Sequence, residues 1–78
     1  MRMVREQEER TRFGHFIDTL SDGWEIEEPV LLGAMATTNA YHFVLRKRAE
    51  DRTRLVSLRP SPELLVFLSE NNLAIQAI

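Results

Sequence analysis

Two runs of alternating side chains, residues 41–48 and 53–60, constrain the fold of this chain more than any other feature of its sequence. In the first run, Tyr41, Phe43 and Leu45 would point to one face of a β-strand, and the residues between them would point to the other. A short polar segment separates the two runs, and its length is ordinary for a hairpin loop. The pattern therefore predicts a β-hairpin.

The apolar residues of the two runs also predict how the strands pair. A loop over residues 49–52 would place Leu45 opposite Val56 and Phe43 opposite Leu58. Because a slip of one residue would turn a strand's apolar set to the other face, we expect burial to hold the register. The face that this register gathers consists of Tyr41, Phe43, Leu45, Val56 and Leu58.

The opposite face of the hairpin combines apolar and polar side chains. Val44 and Leu55 would be neighbours at its centre, and an apolar centre within a polar rim is typical of an association surface. Scattered exposed apolar residues are also normal on proteins, and the C-terminal segment is a further candidate to cover this face. We interpret the face as the interface of a homodimer or of a complex with another protein. Its residues are His42, Val44, Arg46, Leu55, Ser57 and Arg59.

A strand is predicted before the hairpin. Over residues 24–32, Trp24 and Ile26 alternate with glutamates, which indicates a half-buried strand with Trp24 in the core. Pro29 has no N–H group to donate, so the strand is expected to be an edge or to contain a bulge. The small and polar residues 33–40 predict a loop that leads into the hairpin.

A helix is predicted before the strands, over residues 3–21. Phe13, Phe16 and Leu20 follow the spacing of a single apolar helical stripe. Residues 1–9 have high helix propensity but few apolar side chains, so we expect this part to fray and to be dispensable for stability.

The segment after the hairpin begins with a strong helix-start signal. Ser61 is suited to the N-cap, Pro62 to the first helical position and Glu63 to the positive end of the helix dipole. Asn71 marks a plausible end of the helix, because asparagine tolerates the conformation that follows a helix. Residues 73–78 are apolar and predict either a short fourth strand or a packed tail.

These elements predict an α+β fold of order α-β-β-β-α with a possible short C-terminal strand. The strands would form an antiparallel meander, and both helices would cover one face of it in a two-layer sandwich. A length of 78 residues corresponds to one small domain, residues 1–78.

The order of elements and the length resemble those of double-stranded-RNA-binding domains. Those domains carry a lysine cluster at the start of the second helix, where this chain has Ser61, Pro62 and Glu63. The resemblance therefore implies a topology and does not carry the function with it.

Basic residues concentrate in the hairpin, where residues 46–59 contain six of the ten Lys and Arg residues. One interpretation is a nucleic-acid-binding regulator whose hairpin contacts phosphates. The other is that Glu25 and Glu27 pair across strands with Arg46 and Arg59, and we favour it because the whole chain has a net charge of −2. The six basic residues are Arg46, Lys47, Arg48, Arg52, Arg54 and Arg59.

Composition excludes several classes of function. The absence of cysteine excludes disulfides and thiolate metal sites and predicts a cytoplasmic protein, and no apolar run approaches the ~20 residues of a membrane span. The two histidines, His15 and His42, lack the spacing of a metal site, and no catalytic constellation is visible. We therefore expect no cofactor, no metal and no enzymatic activity. The predicted function is that of a small protein-interaction module that associates with itself.

Overall fold

The secondary structure follows the predicted order with an additional strand at the C-terminus. The computed structural model describes residues 3–35 and 38–78, with the side chains of residues 11–34 and 39–78. The elements are α1 (Met3–Ser21), β1 (Glu25–Met35), β2 (Thr38–Lys47), β3 (Arg52–Leu58), α2 (Pro62–Glu70) and β4 (Ile75–Ala77).

The four strands form one mixed sheet in the order β3-β2-β1-β4, in which β1, β2 and β3 are antiparallel neighbours and β4 is parallel to β1. Both helices lie on the same face of this sheet. The ring centroids of Phe16 in α1 and Phe43 in β2 are 4.6 Å apart, and those of Phe13 in α1 and Phe67 in α2 are 6.0 Å apart. The predicted two-layer α+β sandwich is therefore confirmed.

One cluster of buried apolar side chains joins the two layers. Trp24, with 6% of its surface exposed, belongs to this core as predicted. The predicted start of α2 is also confirmed, since the Ser61 hydroxyl accepts a hydrogen bond from the Leu64 N–H at 3.2 Å. The buried core residues are Phe16, Trp24, Val30, Phe43, Leu45, Leu58, Leu64 and Leu68.

The predicted hairpin register is wrong by two residues, although the predicted face is correct. Phe43 lies opposite Val56, and Tyr41 lies opposite Leu58. The observed loop begins one residue earlier than expected, as a 3-10 turn at Arg48–Glu50 followed by Asp51 with a φ of 50°. Aspartate tolerates this left-handed conformation better than most residues do. Because the displacement is an even number of residues, the same side chains still reach the core.

The predicted loop over residues 33–40 is also wrong, because β1 and β2 continue to pair through most of it. Gly33 lies opposite Ala40, and Met35 lies opposite Thr38. A Cβ atom on Gly33 would contact the side chain of Ile78, so the glycine makes room for the C-terminal residue. The small residues that suggested a loop are thus explained by close packing between strands.

Pro29 lies in an interior strand that is irregular at this point, so the second of the two predicted alternatives, a bulge, is confirmed. The pairing of β1 with β2 shifts between Glu27, opposite Val44, and Leu31, opposite His42. Between these two pairs, β1 therefore contains two more residues than β2. This interruption of the pairing accommodates Pro29, which has no N–H group to donate.

Within residues 73–78, only Ile75–Ala77 form a strand, β4, which pairs with the far edge of β1. The Val30 N–H donates to the Ala74 carbonyl at 2.7 Å, and the Ile78 N–H donates to the Leu32 carbonyl at 2.9 Å. The Glu28 carboxylate accepts from the Ala74 N–H at 2.6 Å and holds the start of this segment. Of residues 1–9, for which fraying was expected, residues 3–9 belong to α1, whereas residues 1 and 2 and the side chains of residues 3–10 lie outside what is described.

Replacement of Phe43 by alanine tests the shared core. Phe43 is fully buried between the sheet and α1, so Phe43→Ala is expected to lower the free energy of unfolding by about 3–5 kcal/mol. Val66→Ala is the control, because Val66 is 54% exposed on α2 and its truncation is expected to cost about 0.5 kcal/mol or less. Chemical denaturation measures both, and equal losses would contradict this assignment of the core.

Replacement of Gly33 by alanine tests the close approach of the C-terminus. The added methyl group would meet the Ile78 side chain, so Gly33→Ala is expected to displace Ile78 and weaken its hydrogen bond to Leu32. Hydrogen exchange at the Ile78 amide should then become faster. Gly14→Ala is the matched control, because a Cβ added there would meet no described atom within 4 Å outside its own helical turns, and it should leave Ile78 unchanged.

Candidate functional site

The sheet has an outer face, opposite the helices, that none of the described elements covers. At its centre His42 lies opposite Ser57, and Val44 lies opposite Leu55. The His42 Nδ1 and the Ser57 hydroxyl form a hydrogen bond of 2.7 Å. Arg46 is on the same face, as the sequence predicted for all five of these residues.

Arg59, the sixth residue assigned to this face, lies elsewhere. β3 ends at Leu58, and the Arg59 side chain lines a small cavity with Phe13 of α1 and Leu64 of α2. Its Nε atom is buried and has no hydrogen-bond partner among the described residues. The side chain is on the helical side because the chain leaves the sheet at this point to enter α2.

Two further apolar residues belong to this face: Leu31, which the sequence did not assign to it, and Ile78, from the C-terminal segment that was a candidate to cover it. Leu31 lies opposite His42, and Ile78 lies over Gly33. The alternation in β1 contained a signal for Leu31. Leu31 is an odd number of residues from Ile26, which faces the core, so its side chain is expected on the other face of the strand. No local pattern indicated Ile78, since its position depends on the parallel pairing of β4 with β1.

Together with residues assigned from the sequence, these two form a diagonal apolar strip across the outer face. The strip consists of Ile78, directly after β4, Leu31 in β1, Val44 in β2 and Leu55 in β3. Leu55 is 75% exposed and Ile78 is 73% exposed, whereas Leu31 and Val44 are half-buried. The His42–Ser57 pair lies beside the strip, so the arrangement is an apolar centre with polar neighbours.

Most of the predicted basic cluster is paired with carboxylates. Arg46 pairs with one of the two predicted glutamates, Glu27, whereas Glu25 pairs with Arg48 at 2.9 Å. Each glutamate reaches diagonally along β2 to its partner. The predicted pairing of a glutamate with Arg59 is wrong, because the Arg59 side chain lies on the helical side of the sheet. The remaining ion pairs of the hairpin join Lys47 to Asp22 at 3.3 Å and to Glu50 at 3.2 Å, and Arg52 to Glu50 at 3.2 Å.

Three of the basic side chains surround Trp24. The guanidinium carbon of Arg54 is 4.9 Å from the indole centroid, that of Arg52 is 5.7 Å away, and the Lys47 ammonium is 5.9 Å away. These distances are within the range of cation–π attraction. An open cavity of about 680 Å³ lies beside the indole and reaches Asp18 of α1. Charges of both signs line it, which differs from the uniformly positive surface expected of a phosphate site.

The ion pairs shift the pKa values of two groups at the hairpin tip. Hydrogen bonds from Lys47 and then from Arg52 lower the pKa of Glu50. Hydrogen bonds to Glu50 and then to Asp22 raise the pKa of Lys47. The ionised form of each group is therefore favoured in the folded hairpin.

The described residues contain neither a cluster of metal ligands nor a membrane-spanning helix. Within residues 3–35 and 38–78, no group of three or more potential ligands is arranged to hold a metal ion. Neither described helix is long and apolar enough to span a membrane. Comparisons with protein-family models, curated proteins and solved structures find no match to this chain.

Replacement of Lys47 by methionine tests the ion-pair network. Because Lys47 is the largest cause of the lowered pKa of Glu50, Lys47→Met is expected to raise that pKa toward its ordinary value. The stabilisation from Glu50 is present above its unfolded-state pKa and is lost as the pH falls through the folded-state pKa. In Lys47→Met, the part of the free energy of unfolding that is lost at acidic pH through Glu50 should therefore be smaller.

An NMR titration of the Glu50 side chain measures the effect directly. Arg48→Met is the matched control, because Arg48 pairs with Glu25 and should leave the pKa of Glu50 unchanged. An unchanged Glu50 titration in Lys47→Met would contradict the network described above.

Proposed function

We propose that the chain is a non-enzymatic protein-interaction module that pairs with a second copy of itself through the outer face. The observation that carries this proposal is the apolar strip, which runs from Ile78, directly after β4, through β1 and β2 to β3. Both helices use their apolar stripes on the opposite face, so no described element is left to cover it. A second copy would remove Leu55 and Ile78 from water.

The distribution of charge favours a second copy as the occupant. A two-fold dimer brings the same patch of both chains together, so an unbalanced charge would repel itself. On the outer face the charges of Arg46 and Glu27 balance within one chain. The His42–Ser57 pair is likewise satisfied internally. The patch can therefore approach its own copy without bringing unpaired like charges together.

A nucleic-acid-binding role for residues 46–59 remains the alternative proposal, with less support. Four of its six basic side chains form ion pairs with carboxylates of the same chain. A phosphate would have to compete with those carboxylates at short range. A salt-sensitive mobility shift of labelled DNA or RNA would favour this alternative over self-association.

The double substitution Val44→Glu with Leu55→Glu tests the dimer. These residues are neighbours at the centre of the strip, so the change would place four like charges at a two-fold contact. We expect the natural chain to be dimeric at ~100 μM, well above a ~1 μM dissociation constant. The variant should sediment as a monomer under the same conditions.

The matched control is Leu65→Glu with Val66→Glu on α2. These two residues are also apolar and exposed, at 47% and 54%, but they lie away from the outer face. This control should remain dimeric, and circular dichroism should show that both variants keep their helices. Sedimentation of the natural chain as a monomer at ~100 μM would refute the proposal.

A further inference from the structure

The sheet has one long strand with an open edge, and this edge is separate from the outer face. β3 pairs with β2 on one side, and no strand formed by residues 3–35 and 38–78 pairs with its other side. Its seven residues, Arg52–Leu58, therefore present backbone N–H and C=O groups to an incoming strand. The opposite edge, β4, has only three residues, so β3 is the better template.

A cleft of about 330 Å³ runs beside this open edge, between β3 and α1. Phe16 and Val56 contribute apolar side chains to it, and Arg54 and Arg12 contribute positive charge. An extended peptide added to β3 would direct every second side chain into this cleft. The cleft therefore offers both a backbone template and a side-chain groove.

The two arginines mark opposite ends of the cleft. Arg54 also borders the open cavity beside Trp24, whereas Arg12 also borders the small cavity that contains Arg59. Among the described residues, no carboxylate lines the cleft and none forms an ion pair with Arg54 or Arg12. This differs from the hairpin tip, where the basic residues are neutralised by neighbours.

We propose that this cleft, defined by α1 and β3, binds an extended acidic segment of another protein as an additional strand. The backbone of the segment would pair with β3. Two of its carboxylates would reach Arg54 and Arg12, and an apolar side chain between them would rest on the half-buried Val56. The charge complementarity selects an acidic occupant.

The geometry of a strand specifies the spacing of this segment. Arg54 and Leu58, which mark the two ends of the cleft along β3, are four residues apart, or ~13 Å at the rise of a β-strand. Side chains on one face recur every second residue. The matching pattern is therefore acidic, any, apolar, any, acidic.

A second copy of this chain does not fit the same edge. Pairing β3 with its own copy about a two-fold axis at Leu55 would place Arg54 of each chain opposite Val56 of the other, so the two Arg54 side chains would be diagonal neighbours on one face. Such like-charge contacts are unfavourable. The inference therefore concerns a different surface from the proposed dimer and does not depend on it.

The test uses two capped synthetic peptides of identical composition. In Thr-Glu-Thr-Val-Thr-Glu-Thr, the glutamates and the valine share one face of a strand and match the cleft. In Thr-Thr-Glu-Val-Glu-Thr-Thr, the valine is on the opposite face and the glutamates are too close together. We expect the first peptide to bind the natural chain at least about tenfold more tightly, with an affinity that falls as salt rises from about 50 to about 200 mM.

Two charge-reversal variants locate the binding site. Arg54→Glu should weaken binding of the first peptide by about tenfold or more. Arg48→Glu makes the same change in net charge at the hairpin tip, away from the cleft, and should leave the affinity within about twofold of the natural value. Circular dichroism checks that both exposed substitutions preserve the fold.

Hydrogen exchange distinguishes strand addition from simple ionic attraction. The first peptide should slow exchange at amides of β3 and leave those of β4 unchanged. Equal binding of the two peptides, equal effects of the two variants, or protection at β4 would each overturn the proposal. Tighter binding of a short oligothymidylate than of the first peptide would overturn it as well and would point to a nucleic acid.

Discussion

The packing of Phe16 against Phe43 is the contact on which the rest of the structure depends. It places α1 on one face of the sheet, and the edge-to-face contact of Phe16 with Phe67, at 5.6 Å, brings α2 to the same face. Each helix has one apolar stripe, and both stripes are used there. The opposite face is therefore open because the core needs both helices on one side, and the apolar strip from Ile78 to Leu55 follows from that arrangement.

Whether a basic side chain of this protein can attract a charged partner depends on the carboxylates that already surround it. The hairpin contains most of the basic residues of the chain, yet its tip is a network in which Lys47 and Arg52 share Glu50. By contrast, Arg54 and Arg12 have no carboxylate partner among the described residues. Unpaired arginines beside an open strand edge attract acidic partners, whereas a balanced and apolar outer face tolerates a second copy.

Much of the fold and about half of the candidate surfaces could be predicted from the sequence. Alternation with period two identified the core face of the hairpin and placed Val44 and Leu55 together on the other face. The register itself was not accessible, because displacement by two residues leaves every side chain on the same face. The cleft between α1 and β3 was missed entirely, since it requires knowledge of which helix residues lie beside which strand residues.

The sequence by itself determined the order of the elements and the faces of the helices and the hairpin. These depend on apolar periodicity, capping residues and turn chemistry, which act between residues close together in the chain. The tertiary structure decided that Gly33 and Ala40 pair within strands, that Ile78 joins the outer face, and that Arg59 turns toward the helices. Each of these outcomes depends on contacts between distant segments, which no local pattern encodes.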